Sequence, residues 1–391
     1  MNSGRPIRIM RIITRLNIGS PAMHAVLLTQ RLGPPLYESV LVCGANQPQG
    51  GSMAYFAEER GVQPVYIEEL GDALDPVTLT RLIWRLYLLM RQLRPDIVHT
   101  HMARAGFAGR AAARLAGVPI IVHTFHGHVF SGEFDPLSTR LFITLERLAA
   151  RWSDTIITQT QSTRRELAEV YRVARQARMT ILPLGLDLDA FAHTPRGLGT
   201  FRRQWGIPPD APLVGIVGRM VPVKNHALFL EAAAQVRERR PDARFVIVGD
   251  GETRRDIEAQ IDRLGLRGCV TLTGWQRDLA PLYSDLDVLV NSSLSEGTPT
   301  PIIEALTVGC PVIATAVGGV PDLLGHGSLG QLVPPGRPAL LAEAVVQTLA
   351  EPPQRANARE LMLSRYSVDR LAADLDSLYH GLLARKGRAR P

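Results

Sequence analysis

Lysine is almost absent from this chain of 391 residues: two of its 44 basic residues are lysines, and the rest are arginines. Lys386 lies in the basic C-terminal tail, where we expect the chain to fray. Lys224 instead lies in a loop between a predicted strand and a predicted helix. A compact ammonium and a planar guanidinium are not interchangeable. A lysine kept in a chain that otherwise uses arginine is therefore a functional candidate.

Long apolar runs are also absent, since none approaches the roughly 18–20 residues that a membrane-spanning helix needs. Arginines interrupt the apolar stretch at residues 5–13, which indicates a first strand rather than a secretion signal. Cysteine is scarce, and Cys43, Cys269 and Cys310 lack metal-ligand spacing. Such isolated cysteines favour reduced core thiols. We therefore expect a cytoplasmic protein.

Several recognition motifs are missing as well. The formal net charge is +7, of which residues 1–195 carry +5 and the remainder +2. No helix-turn-helix, zinc-finger or RNA-binding aromatic signature accompanies this excess, so we expect no nucleic-acid partner. An anionic membrane surface or a phosphate-bearing substrate fits the charge equally well. No G-x-x-x-x-G-K-[ST] phosphate loop occurs anywhere in the chain.

What is present is an alternation of short β-branched runs with helical patterns, which is typical of βαβ units and parallel sheets. Single domains rarely exceed roughly 250–300 residues, so two are expected. We predict two α/β, Rossmann-like, doubly wound domains at residues 1–190 and 200–365, followed by a C-terminal helix and basic tail at 366–391. A Gly/Pro-rich linker would join the domains. Ligands of such sheets bind at the carboxyl ends of the strands, here in an interdomain cleft.

The predicted elements carry this alternation through both halves of the chain. Strands are predicted at 7–13, 39–43, 97–100, 120–124, 155–159, 180–182, 213–217, 244–248, 270–272, 288–291 and 312–314. Helices are predicted at 22–32, 76–93, 106–116, 136–151, 163–171, 226–239, 253–264, 279–284, 301–308, 338–349 and 368–383.

The segment from Glu296 to Glu304 is the most specific in the chain: two carboxylates eight positions apart across a Gly/Thr/Pro loop that enters a helix. Free N–H groups at a helix N-terminus suit a phosphate. Glu304, expected on the first helical turn, could bind a vicinal diol such as a ribose, and Glu296 could reach the other end of the ligand. Taken singly, Glu296 fits a surface charge and Glu304 a partner of the helix dipole. The pair with this loop favours a binding site.

Two further strand ends in the second half carry candidate residues. A strand ends at Gly218-Arg219, and the loop after it leads to Lys224; two cations there could hold a pyrophosphate and stabilise it as a leaving group. Another strand runs into Gly249-Asp250-Gly251. This turn lacks the third glycine of G-x-G-x-x-G, so it is weak evidence for a dinucleotide.

In the first half, Gly19 follows the first strand and would let the backbone approach a ligand closely. Histidines follow two later strands, at His99, His101, His123, His126 and His128. Such a cluster permits a metal site, but few acidic residues lie near it and histidines at strand ends also line polar clefts. We predict no metal, and we predict that His126 contacts the reacting sugar of a substrate.

Together these segments resemble the retaining glycosyltransferases of family 4, which have the GT-B architecture. The order and spacing match over nearly the whole chain. The E-x₇-E loop with the Arg/Lys pair is specific, whereas the glycine turns alone are not. The set consists of Gly19, His126-Gly127, Gly218-Arg219, Lys224, Gly249-Asp250-Gly251 and the pair Glu296 and Glu304.

The resemblance implies roles for these residues. Arg219 and Lys224 would bind the diphosphate of a nucleoside-diphosphate sugar, and Glu304 the ribose hydroxyls. Glu296 would hold the sugar, together with the backbone of Gly297, Thr298, Pro299 and Thr300. Gly19, Gly218, Gly249 and Gly251 would complete the donor site. The resemblance further implies donor binding by the C-terminal domain, acceptor binding by the N-terminal one, and metal-independent transfer with retention and no permanently bound cofactor.

Two departures from the family pattern are visible. Gly19-Ser20 stands where two glycines are common, and Leu184 precedes Gly185 where a polar residue is common. The stretch 126–132 resembles a subset of the family that builds bacterial surface polysaccharides. A UDP-sugar donor, with a GDP-sugar as the alternative, and a saccharide or lipid-linked acceptor would follow from that likeness.

The predicted helix 78–94 raises the question of a membrane. Apolar residues repeat along it at three to four positions and would face the core, while Trp84, Tyr87 and Leu88 lie largely off that stripe among arginines. Aromatic and basic residues on one exposed face indicate interfacial membrane binding. A helix packed on two sides explains the pattern equally well.

Three rival functions would behave differently, and nucleic-acid binding ranks last among them. A sugar-nucleotide 2-epimerase of the same fold would act on the donor without an acceptor. A non-catalytic nucleotide-sugar-binding protein would not need Glu296. A nucleic-acid-binding protein would show strongly salt-dependent affinity.

Overall fold

The structure is a computed structural model that describes residues 5–45, 51–71, 75–126, 136–353 and 357–387, with the backbone alone at 136–138. It divides into two compact units: Met1–Leu186 with Tyr366–Pro391, and Asp187–Arg365. Residues Gly127–Gly132, which belong to the stretch that resembles a subset of the family, lie outside the described residues, as do Arg388 and Arg390 of the basic tail.

The first unit is built on a sheet of seven parallel strands in the spatial order β3-β2-β1-β4-β5-β6-β7. Its central strands are buried along their whole length, as near-continuous apolar runs predict for a sheet covered on both faces. The strands are β1 (Ile7–Arg15), β2 (Tyr37–Gly44), β3 (Val65–Tyr66), β4 (Ile97–His101), β5 (Ile120–Phe125), β6 (Thr155–Thr158) and β7 (Met179–Ile181).

The helices of this unit follow local signals in the sequence. In α3, the side chain of Asp75 accepts hydrogen bonds from the N–H groups of Val77 and Thr78, and Pro76 occupies the first turn. The helix ends at a left-handed residue, Arg94. The helices are α1 (Ser20–Arg31), α2 (Ala54–Glu58), α3 (Pro76–Leu93), α4 (Ala103–Ala116), α5 (Pro136–Trp152), α6 (Gln161–Arg165) and α16 (Val368–Arg385).

The last helix, α16, belongs to the core of the first unit. Leu371, Leu375 and Tyr379 are buried among residues of β1, β4 and β5. Before it, the N–H of Leu186 donates to the carbonyl of Tyr366 at 2.7 Å. The helix therefore brings the C-terminal part of the chain back onto the sheet with which the chain begins.

Lys386 was expected in a frayed tail, and that expectation is wrong. Its Nζ lies 2.8 Å from Oδ1 of Asp154, and Asp154 also accepts the N–H of Ile121 at 2.8 Å. The reason is that α16 continues to Arg385, so the ammonium group is held at the start of β6.

The second unit contains a parallel sheet of six strands in the order β10-β9-β8-β11-β12-β13. The strands are β8 (Leu213–Val217), β9 (Arg244–Val248), β10 (Val270–Gly274), β11 (Val288–Asn291), β12 (Val312–Thr315) and β13 (Gln331–Val333). The helices are α7 (Asp189–His193), α8 (Thr200–Gln204), α9 (His226–Arg239), α10 (Arg254–Arg263), α11 (Ala280–Asp285), α12 (Thr300–Val308), α13 (Val320–Leu323), α14 (Pro338–Ala350) and α15 (Ala358–Tyr366).

Residues 195–199, part of the predicted linker, are bound to the second unit. The guanidinium of Arg196 donates to the carbonyls of Tyr283 and Leu286, and the N–H of Gly197 donates to the carbonyl of Ser284 at 2.9 Å. The glycines and the proline of this segment allow it to pack tightly around the end of α11, so the segment is not a free linker.

In each sheet the strands are parallel, so their carboxyl ends lie along one edge. The predicted site residues follow these ends. Within the described residues, every helix is too short or too polar to cross a bilayer.

The packing of α16 generates a stability prediction. Leu375 is 1% exposed in the core of the first unit, whereas Leu36, in the same unit, is 68% exposed. We expect Leu375→Ala to destabilise the protein by about 2–5 kcal/mol, the usual cost of a buried cavity, and Leu36→Ala to change stability by less than about 0.5 kcal/mol. Urea unfolding followed by circular dichroism measures both. Equal midpoints for the two variants would contradict the packing of α16.

Candidate functional site

The loops after β8 and β9 pack directly on each other. The backbone carbonyl of Asp250 accepts a hydrogen bond from the N–H of Met220 at 2.9 Å. A Cβ on Gly249 would overlap the carbonyl of Gly218, and one on Gly251 would overlap that of Met220. Packing between the loops therefore requires glycine at 249 and 251. Contact of Gly218, Gly249 and Gly251 with a donor stays a prediction.

Lys224 and Glu296, which the sequence placed in separate motifs, are joined. Lys224 Nζ lies 2.5 Å from Glu296 Oε1, and that oxygen also accepts from the hydroxyl of Ser293 at 2.6 Å and the amide of Asn291 at 3.3 Å. Glu296 is 8% exposed. Among the described residues no donor reaches the second oxygen, Oε2. The carboxylate is thus fixed through one oxygen, and the other is open to a ligand.

The backbone of Glu296 is held from behind by Gly318-Gly319. Its carbonyl accepts the N–H of Gly319 at 3.0 Å, and a Cβ on Gly318 would overlap the same carbonyl. Gly318 also has φ +52°, a conformation that favours glycine. The two glycines therefore position Glu296, the residue predicted to hold the sugar, and have no chemical role of their own.

Arg219, the other predicted cation of the site, is exposed at the end of β8. Its guanidinium makes no hydrogen bond or ion pair with the part of the chain that the structure describes. Lys224, by contrast, has one of its three ammonium donors committed to Glu296. The loop thus presents one unengaged cation and one partly engaged cation.

The loop from Gly297 to Thr300 leads into α12. Among the described residues, nothing accepts the N–H groups of Gly297, Thr298 and Thr300, and the buried hydroxyl of Thr298 also has no partner. Pro299 has no N–H to satisfy. Three open backbone N–H donors lie at the entry to this nine-residue helix. They can donate hydrogen bonds to anionic or hydroxyl oxygens of a ligand.

Glu304 is buried in α12, at 5% exposure. Its Oε2 accepts the hydroxyl of Tyr283 at 2.8 Å. Burial raises the pKa of Glu304 to about 7, although the hydrogen bond from Tyr283 opposes the shift. The carboxyl group therefore titrates near neutrality.

The position of Glu304 in its helix differs from the prediction. Because Thr300 is already helical, Glu304 is the fifth residue of α12 and not part of its first turn. Its carboxylate interacts with Tyr283 on α11 and does not cap the helix.

In the first unit, Gly19 precedes α1 with φ +154° and ψ 165°. A Cβ at this position would meet only the ring of Pro21, at 3.7 Å. The conformation favours glycine, and open space adjoins it, as expected where a backbone approaches a ligand. Contact of Gly19 with a ligand stays a prediction.

His99 anchors a buried network of histidines. Its Nδ1 accepts from the guanidinium of Arg11 at 3.1 Å and lies 2.6 Å from the hydroxyl of Tyr379. Because a guanidinium only donates, the proton of His99 is on Nε2, which donates to Thr124 at 2.7 Å. Burial, and then the charge of Arg11, lower the pKa of His99 well below its usual range. The ring is therefore neutral.

His126, predicted to contact a sugar, has both ring nitrogens engaged. The amide of Gln159 donates to Nδ1 at 3.1 Å, and Nε2 lies 2.9 Å from Nδ1 of His101. Nε2 therefore donates to His101, whose own Nε2 is buried without a partner among the described residues. Burial lowers the pKa of His126 to about 3. A ligand would have to replace one of these bonds to reach a ring nitrogen.

The alternative of a metal can be judged from the same cluster. His24, His101 and His126 each offer a nitrogen within 4.8 Å of the other two. Arg11 is fully buried beside them, and no described carboxylate bonds to it. Burial, and to a smaller extent the charge of Arg11, lower the pKa of His24 and His101. The spacing permits a metal ion, but the unneutralised guanidinium opposes a second cation.

Four site residues were missed by the sequence analysis. Asn291 and Ser293 lie at and just after the end of β11, a position shared with the predicted residues, so strand topology could have found them. Tyr283 and Gly318 had no such signal, because their roles depend on packing between elements distant in sequence.

Comparison with known families matches most of each unit. Residues 199–361 match the family described as glycosyl transferases group 1, and residues 22–190 match glycosyltransferase family 4.

Two curated proteins illustrate the sequence similarity. The chain is 34% identical over 237 residues to the UDP-Gal:alpha-D-GlcNAc-diphosphoundecaprenol alpha-1,3-galactosyltransferase of Escherichia coli, covering 60% of this chain and 61% of that enzyme. It is 31% identical over 274 residues to the 2-deoxystreptamine glucosyltransferase of Streptomyces kanamyceticus, covering 68% and 70%.

Among solved structures, Anabaena Alr3699/HepE in complex with UDP and glucose superimposes with a TM-score of 0.81. The match covers 95% of this chain and 99% of that one at 21% identity. At this identity the likeness establishes the fold.

The buried carboxyl group of Glu304 generates a prediction about pH. Its folded pKa of about 7 lies above the unfolded value of 4.5, so the neutral form stabilises the fold. That contribution is complete below pH 4.5 and is lost as the pH rises through 7. Between pH 5 and 8 the wild type should therefore lose on the order of 2 kcal/mol relative to Glu304→Gln.

Thermal and urea unfolding of both proteins at the two pH values measure this difference. Glu343→Gln, at an exposed position of α14, is the matched control and should show no such pH-dependent gain. A constant difference between wild type and Glu304→Gln across this range would contradict a titration near pH 7.

Proposed function

The chain belongs to glycosyltransferase family 4 and has the GT-B fold, and from this we propose that it transfers a sugar from a nucleoside-diphosphate sugar to a saccharide or lipid-linked acceptor. We favour a UDP-sugar, with a GDP-sugar as the alternative, and transfer with retention of anomeric configuration. The observation that carries the proposal is the pair of buried carboxylates, Glu296 and Glu304, on either side of three open backbone donors.

In this proposal the second unit binds the donor from end to end. Glu304 accepts from the ribose hydroxyls, and Oε2 of Glu296 accepts from a hydroxyl of the sugar. The N–H groups of Gly297, Thr298 and Thr300 donate to oxygens of the ligand between them. Each of these groups is open within the described residues, so none has to break an existing bond.

The cations would act on the diphosphate. Arg219 is unengaged, and Lys224 has two ammonium protons left after its bond to Glu296. Donors aimed at a departing diphosphate stabilise the charge that develops as the sugar leaves. We propose that these two side chains supply that stabilisation and that no metal ion is needed for it.

Lys224 would also link the two ends of the donor. In this proposal its bond to Oε1 of Glu296 leaves the second oxygen of that carboxylate for the sugar. A diphosphate bound to Lys224 and a sugar bound to Glu296 are thereby held in one fixed geometry, which favours reaction at the bond between them.

His126, a residue of the first unit, is proposed to contact the sugar of the donor. Its ring is neutral, because burial lowers its pKa to about 3. A sugar hydroxyl that replaces Gln159 at Nδ1 would find an acceptor there, while His101 keeps the ring in place through Nε2.

For the acceptor we favour a lipid-linked saccharide, in bacterial envelope or exopolysaccharide synthesis. The name of the E. coli relative specifies a diphosphoundecaprenol-linked acceptor for that enzyme. An acceptor of this kind is anchored in a membrane, so the enzyme has to work at the membrane surface, here the cytoplasmic face.

Two helices of the first unit present a surface suited to this task. On α3, Val77, Trp84 and Leu88 are 60%, 59% and 50% exposed, between exposed arginines. On α5, Leu141 and Leu148 are 58% and 40% exposed, again between arginines. Both helices pack on α4, so they lie on the same face of the sheet.

Acidic residues are few at this surface: Asp75 caps the start of α3, and Glu69 pairs with Arg85 of α3 at 3.0 Å. Helix α3 has none, and the only one on α5, Glu146, is buried in an ion pair with Arg110 at 2.5 Å. Exposed leucine, tryptophan and arginine with few carboxylates beside them fit the interface of an anionic bilayer. We propose that α3 and α5 dock on it peripherally.

The donor proposal is tested by calorimetric titration of UDP, GDP and ADP into the wild type and Glu304→Gln. We expect one nucleotide to bind selectively and the substitution to weaken its affinity at least tenfold, or about 1.4 kcal/mol, because the ribose loses a charged acceptor. Affinity should persist in EDTA if no metal is needed.

Glu343→Gln is again the matched control, since Glu343 pairs with Arg239 at the far end of α9 from Lys224. It should bind as the wild type does. If none of the three nucleotides binds the wild type, the proposed donor site is wrong.

The membrane proposal is tested by sedimentation with vesicles of phosphatidylglycerol and phosphatidylcholine. We expect binding to the anionic vesicles, weakened about tenfold by the double substitution Trp84→Ala/Leu88→Ala, because apolar area would no longer enter the interface. The double variant Trp275→Ala/Leu340→Ala removes exposed side chains of the same two types from the second unit and should bind normally. Equal binding to pure phosphatidylcholine, or equal loss in both double variants, would contradict the proposal.

A further inference from the structure

The two carboxylates of the candidate site are held very differently. Glu296 receives three donors on one oxygen, one of them an ammonium group. Glu304 receives one, the hydroxyl of Tyr283 at 2.8 Å, and no other described residue donates to it. The orientation of the Glu304 carboxylate therefore depends on a single neutral side chain.

Tyr283 is itself fixed in place. Its side chain is fully buried, and its ring packs against Phe191 at 5.9 Å between centroids. Its carbonyl accepts from the guanidinium of Arg196, and its N–H donates to the carbonyl of Leu279 at 3.0 Å. The hydroxyl is thus a donor with a fixed position, and Arg196, from the predicted linker, supports it.

The protonation states support a fixed direction for this bond. Burial, together with the charge of Glu304, raises the pKa of Tyr283 well above its usual range, so its hydroxyl remains a donor. The neighbouring thiol of Cys310 also remains neutral, since burial raises its pKa to about 11. Tyr283 can only donate to an ionised Glu304, and it does so through Oε2 alone.

From this geometry we propose that Tyr283 is a positioning residue for donor binding: it holds Oε2 of Glu304 so that Oε1 faces the ribose hydroxyls. The inference rests on the proposed function, because it requires Glu304 to bind a ribose. It adds a residue on α11 that contacts no ligand. A rotated carboxylate would present its oxygens out of line with a vicinal diol, and the affinity for the nucleotide would fall.

The test compares two nucleotides. Calorimetry measures the affinity of UDP and of 2′,3′-dideoxy-UDP, which lacks the ribose hydroxyls, for the wild type and Tyr283→Phe. Phenylalanine keeps the ring and removes the donor. We expect Tyr283→Phe to lower the affinity for UDP about tenfold, a typical loss for a hydrogen bond to a charged group. Its affinity for dideoxy-UDP should equal that of the wild type.

A matched control is available in the first unit. The hydroxyl of Tyr37, also buried, donates to Asp376 at 2.5 Å, so Tyr37→Phe removes the same kind of bond far along the chain from the donor loops. It should leave both affinities unchanged. In a Glu304→Gln background, Tyr283→Phe should cause no further loss of UDP affinity, since the two residues act through one bond.

The outcomes separate the two proposals. If Tyr283→Phe lowers the affinities for UDP and dideoxy-UDP equally, Tyr283 supports the fold of the site in general. If the affinity for UDP is unchanged, Tyr283 does not position Glu304. Either result overturns this inference and leaves the proposed function standing. A wild type that binds no UDP would instead defeat the UDP-donor proposal, and this inference with it.

Discussion

A carboxylate buried without a cation is the constraint around which the second unit is arranged. Glu304 sits in α12 with one hydrogen bond, and the cost of its desolvation appears as a pKa near 7. A chain selected for stability alone would have an apolar residue or a glutamine there. The surrounding elements serve to keep the charge in place: α11 supplies the donor, and residues 195–199 brace α11.

The first unit contains the opposite case. Arg11 is fully buried in the middle of β1, where its hydrogen-bond partners are His99, Tyr379 and a backbone carbonyl, and no described carboxylate neutralises it. Burial, and to a smaller extent the charge of Arg11, lower the pKa of His99 and His101 well below the usual range, so these imidazoles are neutral. Within the described parts of the chain, each unit thus carries a buried charge in a poor environment, positive in the first unit and negative in the second. Local conflicts of this kind concentrate at functional sites, where a fixed electrostatic environment matters more than stability.

Much of the fold was predictable because periodicity reports burial directly. Helix α3 was predicted from Pro76 to Leu93, and the structure has those bounds, since Asp75, Pro76 and the apolar stripe all act locally. Elements without a local signal were missed, such as the two-residue strand β3 and the helix α7. Their existence depends on tertiary packing.

The candidate site divides in the same way. Glu296, Glu304 and Lys224 stood out because their residue types are costly or rare at such positions. That Lys224 and Glu296 share a salt bridge was not predictable, because 72 positions separate them along the chain. The supporting residues Tyr283 and Gly318 are ordinary in composition, and only the three-dimensional contacts reveal them. For His126, the sequence could not show that its two ring nitrogens already have partners.

The return of α16 to the first sheet has a consequence for synthesis on the ribosome. The chain leaves the first unit at Leu186 and re-enters it at Tyr366, and these two residues are hydrogen-bonded neighbours. All of the second unit is translated between them. The first unit, although its sheet is translated first, lacks Leu371, Leu375 and Tyr379 until these residues have been made. The sheet made earliest therefore cannot complete its core before the whole second unit has been synthesised, and until then its apolar face must be shielded from other nascent chains.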